Sequence, residues 1–108
     1  MARVWGSLGQ ISPAATTLTT IYTVPASKHA VGSAIITNRS GGAVTIRLSH
    51  AIDGAADSGE QYLLYDHALA VGESVSTARL AMGSTDVLRG YASAVNVSFV
   101  FNGVEEDD

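Results

Sequence analysis

Apolar residues in this chain recur at every second position in short runs, with polar residues between them. Val44, Ile46 and Leu48 alternate with Thr45, Arg47 and Ser49, and Val95, Val97, Phe99 and Phe101 alternate with Asn96, Ser98, Val100 and Asn102. A period of two sends successive side chains to opposite faces, so both runs predict half-buried strands. Residues 17–24, rich in Thr with Ile21, Tyr22 and Val24, predict another strand, which Pro25 ends because proline cannot donate to a ladder. Residues 29–39 carry Val31, Ala34, Ile35 and Ile36 and run into the turn signal Asn38-Arg39-Ser40-Gly41-Gly42. Residues 3–10 alternate weakly, with Val4 and Leu8 as apolar positions. Residues 61–65, 74–80 and 86–92 complete the set, separated by a Gly-rich loop at 53–59 and by turns at Val71-Gly72-Glu73 and Gly83-Ser84. In the 61–65 run Tyr62 and Leu64 oppose Leu63 and Tyr65, which predicts cover on both of its faces.

This pattern predicts an all-β fold: seven or eight short strands with turns every eight to twelve residues or so, an antiparallel β-sandwich that is jelly-roll-like. No run has a helical period long enough for the crossovers that parallel strands require. There is no fixed-period repeat and no linker. The expected organisation is one sandwich domain over residues 1–104, with residues 1–10 as an N-terminal arm or edge strand and residues 105–108 as an acidic C-terminal tail.

Charge changes this picture mainly through its placement. The chain has 108 residues, with six Lys and Arg against ten Asp and Glu. Glu105, Glu106, Asp107 and Asp108 hold four of those acids, leaving six acids against six bases in residues 1–104. A neutral body offers no field to steer nucleic acid or an anionic membrane, so neither is expected as a partner. With 46 % hydrophobic and 15 % charged residues the chain is too apolar for a disordered protein. A domain of this size buries roughly two thirds of its surface on folding, which favours apolar area left outside and self-association. The absence of cysteine removes disulfides, thiolate metal sites and thiol nucleophiles, and is compatible with a reducing cytosol. No run approaches the ~18 apolar residues of a membrane span. The opening Met1-Ala2-Arg3-Val4-Trp5-Gly6 lacks a signal-peptide layout, so a soluble, uncleaved chain is expected.

Site chemistry is sparse. His29, His50 and His67 could each meet one of the twelve serines and an acid, yet the strained Gly-x-Ser-x-Gly turn is missing and no catalysis is expected. Asp53, Asp57 and Glu60 share one loop without calcium-loop spacing, and the histidines lack zinc-ligand spacing. Neither a metal nor a cofactor is expected. Tyr62, Tyr65 and Tyr91 could stack a sugar, although sheet tyrosines more often cap a core. Trp5 is the single tryptophan and stands next to Val4 and two residues past Arg3, a combination enriched at interface centres. Arg3, Val4, Trp5 and Leu8 are therefore candidate assembly contacts at one end of the chain, and Glu105, Glu106, Asp107 and Asp108 at the other, the acids addressing a basic patch on a neighbouring subunit.

Leu8-Gly9-Gln10, the stretch from Pro13 through Thr16-Thr17-Leu18-Thr19-Thr20-Ile21-Tyr22-Thr23-Val24-Pro25-Ala26, and Ala34-Ile35-Ile36-Thr37-Asn38-Arg39 resemble a family of small virion proteins encoded by tailed bacteriophages. Tyr62-Leu63-Leu64-Tyr65-Asp66 and Asp86-Val87-Leu88-Arg89-Gly90-Tyr91-Ala92 look like the same family, and the resemblance covers most of residues 8–101. The chain departs from the pattern at Thr37, where the family often has Cys, and at Ala68, where Pro is common. The resemblance implies a β-sandwich structural protein of the virion, made in the bacterial host cytoplasm. It would be a decoration (cement) protein bound to the major capsid protein on the outer head, or a tail-fibre or baseplate module with receptor or glycan affinity. A homo-oligomer, a trimer among the options, fits that use. No catalytic residues carry over.

Overall fold

Nine strands account for most of the residues described, 3–108, in a computed structural model. They are β1 (Arg3–Ile11), β2 (Thr19–Thr23), β3 (Lys28–Asn38), β4 (Val44–Ala51), β5 (Tyr62–Leu69), β6 (Ser74–Ser76), β7 (Leu80–Met82), β8 (Val87–Ala92) and β9 (Val97–Asp107). The only helical elements among the described residues are two 3-10 turns, Ile52–Gly54 and Gly59–Gln61. The parts of the predicted domain, arm and opening motif that fall on Met1 and Ala2 lie outside the described residues.

The strands form two antiparallel sheets. Sheet A runs β1-β9-β3-β6, with β7 pairing beside β6 along the same edge of β3, and sheet B runs β2-β8-β4-β5. The chain passes between the sheets at β1/β2, β2/β3 and β3/β4, and it crosses again at β5/β6, β7/β8 and β8/β9. This order, with first and last strands adjacent in one sheet, is jelly-roll-like. The alternation read from the sequence sets which face is buried. In β3 the even positions Ala30, Gly32, Ala34, Ile36 and Asn38 point inward, and in β9 the odd positions Val97, Phe99 and Phe101 do. Ile46, Leu48, Leu88 and Ala92 meet them from sheet B, all without solvent exposure. Gly90 has a packing reason: a Cβ there would lie 2.8 Å from the Phe99 ring, which rests on the bare backbone of β8.

Asn38, fully buried at the end of β3, fastens the turn predicted there. Its Nδ2 donates to the carbonyls of Gly42 (2.8 Å), Leu69 (3.1 Å) and Ala70 (3.2 Å), and its Oδ1 accepts from the Ser40 N–H. One amide thus joins the β3–β4 turn to the end of β5, satisfying a polar group that would otherwise be costly to bury.

Four expectations need correction. Residues 74–80 are not one strand, because the Thr77 hydroxyl accepts the Ala34 N–H at 3.0 Å and ends the β6 ladder before β7 begins. Leu63 and Tyr65 are 44 % and 59 % exposed, since no further layer among the described residues covers the outer face of sheet B. Val95 is 53 % exposed in a bend ahead of β9, where Asn96 takes a left-handed φ of 66°. The boundary drawn after residue 104 does not exist as a structural break: β9 continues through Glu105, Glu106 and Asp107, paired on both sides. The arm of residues 1–10 is, over its described part, the edge strand β1.

Candidate assembly surfaces

The two candidate sets from opposite ends of the chain form one ladder. β9 lies between β1 and β3, with Arg3 opposite Glu106 and His29, Val4 opposite Glu105 and Ala30, and Trp5 opposite Val104 and Val31. Directly paired residues share a face. Trp5, Val104, Val31 and, through β7, Ala81 therefore make an apolar row on the outer face of sheet A, bordered by Arg3, Glu106 and His29. Trp5 is 69 % exposed, and the Arg3 guanidinium sits 5.5 Å from its ring centroid. Val4 belongs to the inner row and is half exposed at the edge, whereas Leu8 packs against the core and is not an outward contact.

All four C-terminal acids have partners within the chain. Tyr22 donates its hydroxyl to Glu105 Oε1 at 2.5 Å, and Arg3 Nε lies 3.3 Å from Glu106 Oε1. Lys28 pairs with Asp107, and His29 Nδ1 is 2.9 Å from Asp108 Oδ1. The hydrogen bond to Asp107 raises Lys28 above its ordinary pKa. Burial, then the bond to Glu105 and its charge, push the Tyr22 phenol well above its ordinary value. The acids are the end of a central strand, held by β1, β2 and β3, and not a tail detached from the domain.

Glycines allow this ladder to form. Gly6, Gly103 and Gly32 stand in register across β1, β9 and β3. A Cβ on Gly32 would come within 2.1 Å of the Asn102 carbonyl oxygen, and one on Gly103 within 2.2 Å of that of Val31. Gly6 has a φ of 111°, outside the range of L side chains. No local sequence signal marks this row; it emerges only from the pairing of three distant segments.

A second surface occupies the outer face of sheet B. Between Ile46 and Leu48 the register with β5 shifts, so that Arg47 faces both Tyr65 and Asp66, the latter with a left-handed φ of 49°. Such a bulge re-aims side chains. The Arg47 guanidinium lies 4.4 Å from the Tyr65 ring centroid and 4.5 Å from that of Tyr91, and its Nε donates to Asp66 Oδ1 at 2.7 Å. Tyr62 meets Tyr65 edge to face at 5.0 Å and donates its hydroxyl to Asp57 at 2.8 Å. The three tyrosines singled out from sequence are thus brought together; Arg47 as their common element was missed, although it stands two residues from either neighbour in the clearest alternating run.

The remaining candidates are dispersed. Asp53 takes the Thr85 hydroxyl, Asp57 the Tyr62 hydroxyl and Glu60 the Ser58 hydroxyl, and no group of three or more metal-ligating side chains converges among the described residues. The Ser58 bond lowers the Glu60 pKa. His50 Nε2 lies 2.7 Å from Asp86 Oδ2, and Asp86 also accepts the N–H of Asp53 (2.9 Å) and Gly83 (3.0 Å), which makes it a loop fastener between β4 and β8. A shallow depression at the β1–β9 seam is lined by Gln10, Ile11, Ser12, Ser98, Phe99 and Val100 and contains no ionisable group.

No protein-family model and no curated protein matches the chain. Among solved structures it is similar to a chain of the acidic stable capsid of Helicobacter pylori bacteriophage KHP30, with a TM-score of 0.56 and 11 % identity over 98 % of this chain and 88 % of that one. It is also similar to part of a chain of the T13 IBDV viral particle, with a TM-score of 0.54 and 10 % identity, covering 96 % of this chain and 30 % of that one. A pentameric capsid protein isolated from metagenomic phage sequences aligns over 92 % of this chain and 60 % of its own, with 19 % identity at a TM-score of 0.34. The chain therefore shares its fold with a chain of a phage capsid, taken nearly whole, and with part of a chain of another virus particle.

Proposed function

We propose that this protein is a structural component of a bacteriophage virion, a decoration subunit that binds the outer surface of the head in many copies and braces it. The observation that carries this reading is the likeness, over nearly the full length of both chains, to a small β-sandwich chain of a phage capsid. The distribution of charge supports it: every acid of the C-terminal stretch is paired internally, and the face that contains Trp5, Val104 and Val31 presents apolar area bordered at one end by Arg3, Glu106 and His29. That is the make-up of a protein–protein contact. The role is mechanical, without catalysis, cofactor or metal. A subunit that bridges neighbouring shell proteins adds binding free energy only to the assembled state, and so raises the cost of shell failure. The test is occupancy: particles assembled with Trp5→Ala should incorporate fewer copies on the head while the isolated domain keeps its far-UV spectrum. Undiminished occupancy, or a location confined to the tail, overturns the head-decoration reading.

One observation favours a second reading, a tail-fibre or baseplate module with glycan affinity. Tyr62, Tyr65 and Tyr91 cluster with Asp57 and Asp66 on the exposed face of sheet B. Retention on a glycan array that is lost in Tyr65→Ala, together with a tail location, would select it.

A further inference from the structure

We propose that β1 is a self-pairing edge, at which two copies of this chain join antiparallel through residues 3–7 with Trp5 on the two-fold axis. The proposal deepens the assembly-subunit reading by naming the contact between copies, and it is tested on the free protein so that the two can fail separately.

The four sheet edges are unequal. The far edge of β3 is filled in two pieces by β6 and β7, three residues each. β2 has five residues and a register shift between Thr20 and Tyr22, and β5 is interrupted by two shifts against β4. β1 has nine residues, pairs only with β9 among the described residues, and keeps an unbroken register from Arg3 to Ser7. Residues 3–7, with Gly6 at a φ of 111°, span about 17 Å and present a row of backbone donors and acceptors along the outer edge. Natural edges are guarded by Pro, by Lys, by inward charges or by bulges; β1 contains neither Pro nor Lys, its bulge lies beyond Ser7, and its one cation, Arg3, is already paired with Glu106 and laid over Trp5.

The sequence of this edge suits a second copy of itself, and favours one register over those centred on Arg3 or Gly6. Centred on Trp5, an antiparallel pair sets Trp5 against the partner's Trp5, Val4 against the partner's Gly6 and Arg3 against the partner's Ser7. No like charges meet, the glycine leaves room for the valine, and the largest exposed apolar side chain gains an aromatic neighbour across the axis. Centring on Arg3 opposes two arginines; centring on Gly6 drives Arg3 against the irregular stretch between Ser7 and Gly9. A two-fold contact of this kind uses the same edge on both copies and closes on itself, giving a dimer with one continuous sheet.

Light scattering or sedimentation of the full chain should show a concentration-dependent dimer, and emission of Trp5, the single tryptophan, should shift to the blue as it forms. Trp5→Lys should weaken association at least a hundredfold, and Trp5→Ala at least tenfold, with the monomer's far-UV spectrum retained. The chain has no cysteine, so register can be read directly. An equimolar mixture of Arg3→Cys and Ser7→Cys chains, both retaining Trp5, should oxidise to a covalent heterodimer, whereas either alone should cross-link at least tenfold less. A monomer at all concentrations, a trimer, or equal cross-linking by each single variant overturns the proposal. A monomer that still populates virions overturns this pairing alone and leaves the virion reading intact; a dimer of the expected register absent from virions supports the pairing and overturns the virion reading.

Discussion

The hydroxyl of Tyr22 donates a 2.5 Å hydrogen bond to the carboxylate of Glu105, 83 positions later, tying the inner face of sheet B to the last turn of the central strand of sheet A. Tyr22 also stacks on Phe101, ring centroids 5.4 Å apart, so its ring belongs to the core while its polar end serves the C-terminal ladder. Removing the donor leaves a part-buried carboxylate unpaired. Tyr22→Phe should cost about 1–3 kcal/mol in chemical denaturation, and Glu105→Gln, which keeps an acceptor, should cost less. Since the folded pKa of Tyr22 lies above its unfolded value, the contribution is present below about pH 10 and is lost as pH rises through the folded value. Ultraviolet titration should find Tyr22 ionising above the ordinary tyrosine range.

The same ladder makes truncation informative. Deleting residues 105–108 removes the partners of Tyr22, Arg3, Lys28 and His29 together with the end of β9. Losing the partly buried Tyr22 contact and the end of the β9 ladder together, the domain should be destabilised, seen as a lower melting temperature. A melting curve unchanged by the deletion would refute the structural role given to these acids.

Asp86 gives the acid limb of stability. Burial alone raises its pKa, but the Asp53 N–H, the His50 ring and the Gly83 N–H more than offset that, and the carboxyl lies below its usual range. A depressed folded pKa stabilises above the unfolded value of about 3.9 and loses that contribution as pH falls through the folded value. Melting temperature followed from pH 6 downward should decline through this window, and Asp86→Asn should flatten the decline while lowering stability at neutral pH by about 1–3 kcal/mol.

Glycine substitutions separate backbone crowding from flexibility. Gly32→Ala and Gly103→Ala each force a Cβ against a neighbouring carbonyl oxygen and should cost about 3 kcal/mol or more by overpacking. Gly41→Ala, with nothing within 4 Å, should stay within about 0.5 kcal/mol of the parent.

Arg47→Lys tests the sheet B cluster. A lysine keeps the charge but loses the planar group that spans two rings, so the substitution should lower the melting temperature slightly and free Tyr65 and Tyr91 to quench more readily with iodide.

What could be read along the chain was the part where a residue's environment is set by its immediate neighbours. Val44, Ile46 and Leu48, or Val97, Phe99 and Phe101, announce their strands because one sheet face is buried and the other is not. Beyond Phe101 that rule gives out: Asn102, Gly103 and the acids look like a frayed end, and only β1 and β3, distant in sequence, make them a strand. Trp5 was identifiable by its type, but its position beside Glu106 and Val104 was not, and Gly6, Gly32 and Gly103 give no hint in isolation of standing side by side. Long-range pairing decides these features, and local periodicity is blind to it.

The placement of β9 between β1 and β3 also sets an order of events during synthesis. Of the nine strands, the last to be made is the one on which sheet A closes. Until it emerges, β1 and β3 have no partner in common, and both remain available to strands of other chains. Folding must then wait for translation to pass residue 107, and its speed should be that of a topology dominated by distant pairings, milliseconds to seconds. A ribosome paused before β9 would hold a chain with β1 unpaired and one edge of β3 uncovered, which makes the rate of translation through residues 97–107 a determinant of how much protein reaches the folded pool.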